Sequence, residues 1–218
     1  MRIRANINVE VNRIVKFFVL SDFFFIAGWG FIEPIFSVFI IQKLPGATLT
    51  TVGIAFAIYW ILRSILQIPF ANFLDRRTGE QSAFRMLIAG LFLAALSAFA
   101  FGWVTQIWEL YAVQIIHAIA LSLYTASWPA IFSRHLDKTR ISFDWSLDNT
   151  AVGIGSGVSG FLAGVIGATW GFTAVFILAG ILSLVGAVII LTIPKIVLPP
   201  DTTTTANRQD KATGSIGI

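Results

Sequence analysis

Apolar residues in this chain come in long stretches, separated by short polar ones. A helix needs roughly 20 predominantly apolar residues to cross the hydrocarbon core of a bilayer. Six stretches meet that length: approximately Phe17–Ile41, Val52–Leu74, Met86–Val104, Leu110–Phe132, Asn149–Ala168 and Phe172–Ile193. Four of the connections are short and polar or rich in turn formers, reading KLPGATLTT, DRRTGEQ, WVTQIWE and ATWG. The connection between the fourth and fifth stretches, SRHLDKTRISFDWSLD, is the longest and most charged. The pattern predicts an all-α membrane protein of six transmembrane helices.

Composition supports this and narrows it. Of the 218 residues, 56% are hydrophobic and only 12% are charged, against roughly 25% charged in a soluble domain. There is no cysteine, which excludes disulfides and thiolate metal sites. The net charge of +4 raises the question of a nucleic-acid partner, and the placement of the basic residues answers it. With the N-terminus inside, thirteen of the fifteen Lys and Arg residues fall on the cytoplasmic side, Lys43 alone falls outside, and Arg63 lies within a span. That bias is the positive-inside pattern. It places both termini in the cytoplasm, fits a cytoplasmic (inner) membrane, and leaves no charge excess for nucleic acid. Trp103, Trp108 and Trp170 fall at the outer boundary, where amphipathic rings favour the interface. The first apolar run is too long for the core of a cleavable signal, about 7–15 residues, and reads as the first span. The expected organisation is a cytoplasmic segment over 1–16, a membrane domain over 17–194, and a polar, unfolded tail over 195–218.

Polar residues inside the spans carry the candidate chemistry. The third and sixth spans have no ionisable residue beyond their first turn. The first carries Trp29, Glu33 and Ser37 at spacings of four, the second Tyr59, Arg63 and Gln67, and the fourth Gln114, His117, Leu121, Tyr124 and Trp128. Such spacings place each set on one helix face. At about 1.5 Å per residue, Glu33 and His117 lie about 6 Å to the outer side of their span centres and Arg63 lies near the midpoint. Charges at that depth are costly and mark solute or ion pathways by default. The expectation is a Glu33–Arg63 ion pair lining a polar cavity with His117 close by, and the alternative is an ion pair that only fixes helix packing. Pro34 follows Glu33, and Gly28 and Gly30 precede it, so the first helix is expected to bend there.

The fifth span holds GIGSGVSGFLAGVIG. Its G-x-G-x-x-G match lacks the strand and soluble βαβ unit that a dinucleotide site requires. Gly153, Gly157, Gly160 and Gly164 instead form a small-residue stripe suited to close helix packing in lipid. No H-E-x-x-H, G-x-S-x-G, Walker A loop or metal-ligand spacing is present, so neither an enzyme activity nor a cofactor or metal is supported.

Several weak motifs in a specific order resemble one six-helix half, most like the N-terminal half, of a major facilitator superfamily (MFS) transporter. ANFLDRRTGEQ is similar to the family's loop between helices two and three, with Asp75, Arg76 and Gly79 in the gating pattern, although Gly79 stands one residue late and Glu80 and Gln81 replace a basic pair. QIIHAIALSLYTASWPAIF resembles the fourth helix, with Gln114 where arginine is common, and the glycine-rich fifth span followed by GFTAVF resembles helices five and six. The resemblance covers about Asn12 to Pro194. It implies two inverted three-helix repeats and a secondary transporter that moves a small solute; the coupling ion is open, with Glu33 and His117 making a proton the default. In the family, helices one, two, four and five surround the cavity and three and six lie outside. It also implies that a second half covers the cavity, supplied by a homodimer or a separately encoded chain. The site residues on this reading are Trp29, Glu33, Tyr59, Arg63, Gln67, Gln114, His117 and Tyr124. A structural or regulatory membrane subunit without transport, and an orphan half from a split or truncated gene, remain the alternatives.

Overall fold

The computed structural model describes residues 12–193. Among the described residues there are seven α-helices and no strand: α1 Arg13–Ile32, α2 Phe36–Lys43, α3 Leu49–Asp75, α4 Gln81–Phe101, α5 Ile107–His135, α6 Ile141–Trp170 and α7 Phe172–Leu191. Together α1 and α2 make one crossing, so six helical segments are long and apolar enough to span a membrane. The expected tail at 195–218 and most of the 1–16 segment lie outside the described residues.

Local chemistry sets the helix ends. Asn12 caps α1 by accepting the Ile14 N–H at 3.1 Å. Glu109, in the first turn of α5, accepts the N–H groups of Thr105 at 2.7 Å and of the cap residue Gln106 at 3.1 Å, which fastens the entering chain to the helix start. Pro34 has no N–H to give, and the chain between α1 and α2 tightens to an Ile35 N–H···O=C Ile32 bond of 3.2 Å. A single residue, Gly171, joins α6 to α7 with φ of 81°, a left-handed conformation that glycine adopts without penalty.

One expectation is corrected. Residues 141–148 were assigned to the long polar connection, but α6 begins at Ile141, leaving only Leu136–Arg140 to turn the chain. Hydropathy marks where hydrocarbon ends and not where a helix ends. Here α6 continues beyond its apolar stretch, and Asp144 accepts the Asp137 N–H at 3.0 Å to fasten the connection.

The helices alternate in direction. Glu80, between α3 and α4, meets Arg134 at 3.9 Å and His135 at 3.6 Å on the last turn of α5, while the Asn12 side chain donates to the His135 carbonyl. These contacts gather the start of α1, the α3–α4 connection and the end of α5 at one end of the bundle. At the other end Thr173 donates to the Gly102 carbonyl, and Trp103, Trp108 and Trp170 are exposed.

Helix α1 lies between α6 and α7, α5 lies between α3 and α4, and α4 packs on α7 to join the two groups. Small residues bring α1 and α7 together. Ser21 donates to the Gly186 carbonyl at 2.8 Å, and a Cβ at Gly186 would stand 2.7 Å from the Ser21 carbonyl oxygen. The α1–α6 contact sets Gly30 against Ser156 and Ser159, and Gly160 faces the Gly30 carbonyl. The expected packing stripe is therefore only partly used. Gly153, Gly157 and Gly164 have nothing within 4 Å of a Cβ position, because the face that α6 turns to the bundle carries Gly155, Ser159 and Ala163.

Helix α4, charged only at Arg85, and the charge-free α7 are about half-buried in the bundle (50% and 44%), whereas only 11% of α3 and 17% of α6 is covered by the rest of the chain. The least covered helices are thus α3 and α6, the two flanks of the bundle, and not α4 and α7.

Gly186→Val should force α1 from α7 and destabilise the protein by about 1–3 kcal/mol. In detergent this should lower Tm by several degrees. Gly53→Ala, in the open interior of α3, should leave Tm unchanged or raise it; equal losses in both variants would refute the α1–α7 contact.

Candidate functional site

The break between α1 and α2 opens one wall of a cavity of about 520 Å³. Helices α1, α2, α3 and α5 line it, with Phe101 from the end of α4, and α6 and α7 contribute nothing. Each polar stripe read from the sequence reaches it: Trp29, Glu33 and Ser37 from the first crossing, Tyr59 and Arg63 from α3, and Gln114, His117 and Tyr124 from α5. Gln67 does not line the cavity and is exposed on α3.

A stack of three rings holds the three helices in register. His117 lies between Trp29, with centroids 3.8 Å apart and planes at 7°, and Tyr59, at 4.5 Å and 13°. Gln114 Oε1 sits 3.3 Å from His117 Nδ1. His117 Nε2 and Trp29 Nε1 are buried with no hydrogen-bond partner. Each such orphan costs about 1–3 kcal/mol, so the stack is held by ring packing against a polar penalty.

The expected Glu33–Arg63 ion pair is not formed. Arg63 Nη1 donates to Tyr59 Oη at 2.7 Å, one turn back on the same helix. Its guanidinium also lies 5.6 Å from the Tyr59 ring centroid and 5.1 Å from that of Trp60. These neighbours draw it along α3, while Glu33 sits at the helix break across the cavity and its carboxylate makes no hydrogen bond or ion pair among the described residues.

Beneath the cavity, towards the Arg13 end of α1, lies an acidic cluster that the sequence reading did not single out. Tyr124 Oη donates to Asp22 Oδ1. Asp22 is 5% exposed and Asp148 is 4% exposed. Asp148 lies within electrostatic reach of both Asp22 and Tyr124, and its Oδ1 has no hydrogen-bond partner. The signal for Asp22 was present: it is an acid inside an apolar span, the same criterion that selected Glu33. Asp148 was hidden by the misplaced start of α6.

At the Glu80 end, Asp75 closes α3, Arg76 follows it, and Gly79 takes φ of 83° before α4. Asp75 and Arg76 are exposed, and their side chains make no hydrogen bond or ion pair among the described residues. It is Glu80, standing where the family has a basic residue, that ties this loop to α5.

Comparison with known proteins agrees with this architecture. An uncharacterized MFS-type transporter of Methanocaldococcus jannaschii is 25% identical over 170 residues, covering 78% of this chain and 42% of that protein. The chain thus spans less than half the length of that relative. The sequence profile of the Major Facilitator Superfamily matches residues 18–216. Six membrane-capable helices, a broken first crossing and this match together show that the chain belongs to the Major Facilitator Superfamily.

Proposed function

We propose that this chain is one half of a secondary transporter that moves a small solute by alternating access, without chemistry on the solute. The observation that carries this reading is the cavity, which gathers Glu33, Arg63 and the His117 stack beside a broken helix. Discontinuous helices at mid-depth are a common way for transporters to build solute sites. The site then consists of Trp29, Glu33, Tyr59, Arg63, Gln114, His117 and Tyr124, and the loop with Asp75, Arg76 and Gly79 gates one end. The basic-residue bias supports both termini in the cytoplasm, and residues 17–194 form the membrane unit.

A wall that carries charges cannot face hydrocarbon at low cost. A second copy in the same orientation is the simplest cover, with two-fold symmetry setting the α3 and α6 flanks of one copy against those of the other. The open stripe of Gly153, Gly157 and Gly164 suits such close approach. The greater length of the archaeal relative favours a second version, in which the cover is a different six-helix half.

In this reading the coupling proton belongs to the Asp22–Asp148 cluster and not to His117, whose ring is wedged between two others. Asp22 and Asp148 are both buried and form no ion pair among the described residues.

Proteoliposomes under an imposed pH gradient should accumulate at least one solute from a panel of amino acids, sugars and organic ions. Glu33→Gln and Arg63→Ala should each reduce the initial rate at least tenfold. Asp22→Asn should abolish gradient-driven accumulation while sparing solute exchange; loss of both, or of neither, removes the proton from that site. The absence of cysteine makes cross-linking direct. Val158→Cys on α6 should give disulfide-linked dimers in membranes and Leu96→Cys on the outer face of α4 should not, and the reverse pattern would exclude the two-fold arrangement.

A further inference from the structure

We infer that the cavity ligand is an amphipathic zwitterion, held with its anionic group on Arg63, its cationic group on Glu33 and its apolar body against Phe36, Phe56 and Trp60. This rests on the cavity being a solute site, as proposed above.

The argument starts from two charges in one cavity that do not neutralise each other. A guanidinium carries five N–H donors in a planar fork. Arg63 commits Nη1 to the Tyr59 hydroxyl at 2.7 Å and rests by the rings of Tyr59 and Trp60. A phenol and two ring faces orient the cation and leave its charge uncompensated, with no carboxylate within 4.0 Å among the described residues. The remaining edge of the fork is suited to a carboxylate. Glu33 is the complement: a carboxylate on the same cavity wall, free of ion pairs and hydrogen bonds among the described residues.

Both charges sit at depths where a lone charge is unfavourable. A cationic ligand compensates Glu33 and leaves Arg63 alone; an anionic one does the opposite. A ligand that carries both groups compensates the two together. The volume of about 520 Å³ is far larger than a single ion needs and falls in the range of small organic ligands. The wall between the charges is mainly apolar, and Phe56 and Trp60 remain 63% and 46% exposed, with ring faces available for an apolar body.

The test is binding to the full chain in nanodiscs. The probes are L-tryptophan and tryptophyl-glycine as zwitterions, L-tryptophan amide as the cation and N-acetyl-L-tryptophan as the anion. At least one zwitterion should bind ten times or more tightly than both singly charged probes. Glu33→Gln should lower zwitterion affinity at least tenfold and leave N-acetyl-tryptophan unchanged, and Arg63→Gln should do so with tryptophan amide unchanged. If either variant is not monodisperse, Glu33→Asp and Arg63→Lys replace them, with the same selective pattern expected at smaller size. Preference for the amide or the N-acetyl compound, or no binding by any probe, overturns the assignment. So does mutual pairing across two copies, seen as single variants that weaken dimers and a charge-swapped double variant that restores them without zwitterion binding. Proteoliposome uptake separates this from the transport reading. Glu33-dependent uptake of the amide alone keeps transport and removes the zwitterion. Charge-dependent zwitterion binding with no uptake of any solute keeps the ligand and removes transport.

Discussion

A bilayer offers no water to a charge or to an unpaired peptide group, and the rest of this structure is arranged around that limit. Helix α1 breaks near Pro34, where the backbone loses a donor, and the residues on either side of the break, Glu33 and Phe36, line the cavity. The same limit keeps Arg63 folded along α3 against a tyrosine and a tryptophan, since a guanidinium left to extend into hydrocarbon has nothing to meet. Asp22 shares a hydrogen bond with Tyr124 for the same reason. The polar groups of the chain are collected along one line between α1, α3 and α5, and the exposed faces elsewhere are mainly apolar.

Close packing is distributed unevenly to serve that line. The contacts of α1 with α7 and α6 place small residues backbone to backbone, which fixes the first crossing firmly on one side. On the cavity side it meets α5 mainly through rings, with Trp29 on His117 and Phe25 beside Tyr124. Ring faces slide more readily than interlocked backbones, so the site is bounded by a rigid contact on one side and an adaptable one on the other. The flanks α3 and α6 are the least covered helices, and α6 carries the open glycine face.

Much of this was legible in the residues. Length and hydropathy found the six crossings, and spacings of three and four placed Glu33, Tyr59, Arg63, Gln114 and His117 on faces that do converge. Partner choice was not legible. Opposite charges at similar depth suggested a Glu33–Arg63 bond, but a phenol four residues away on the same helix competes more effectively than a carboxylate on another helix. The glycine stripe was visible, yet small residues occupy both faces of α6, and only the tertiary arrangement chooses between them. Asp22 and Asp148 were obscured for different reasons, the first because it lies nearer the Arg13 end of its span than the mid-depth groups and the second because helix and membrane boundaries differ.

The one-residue connection at Gly171 has a mechanical meaning. With no slack between them, α6 and α7 cannot separate at that end, so any relative motion of the pair is a rotation about a near-fixed point. Helix α6 is 30 residues long, about 45 Å as a rigid rod. A tilt of about 5° therefore moves its Ile141 end by about 4 Å and its Trp170 end hardly at all. Asp148 sits two turns from that Ile141 end and is buried on the face that α6 turns to the bundle. The acid beneath the cavity thus rides on the long arm of a lever whose fulcrum is a single glycine.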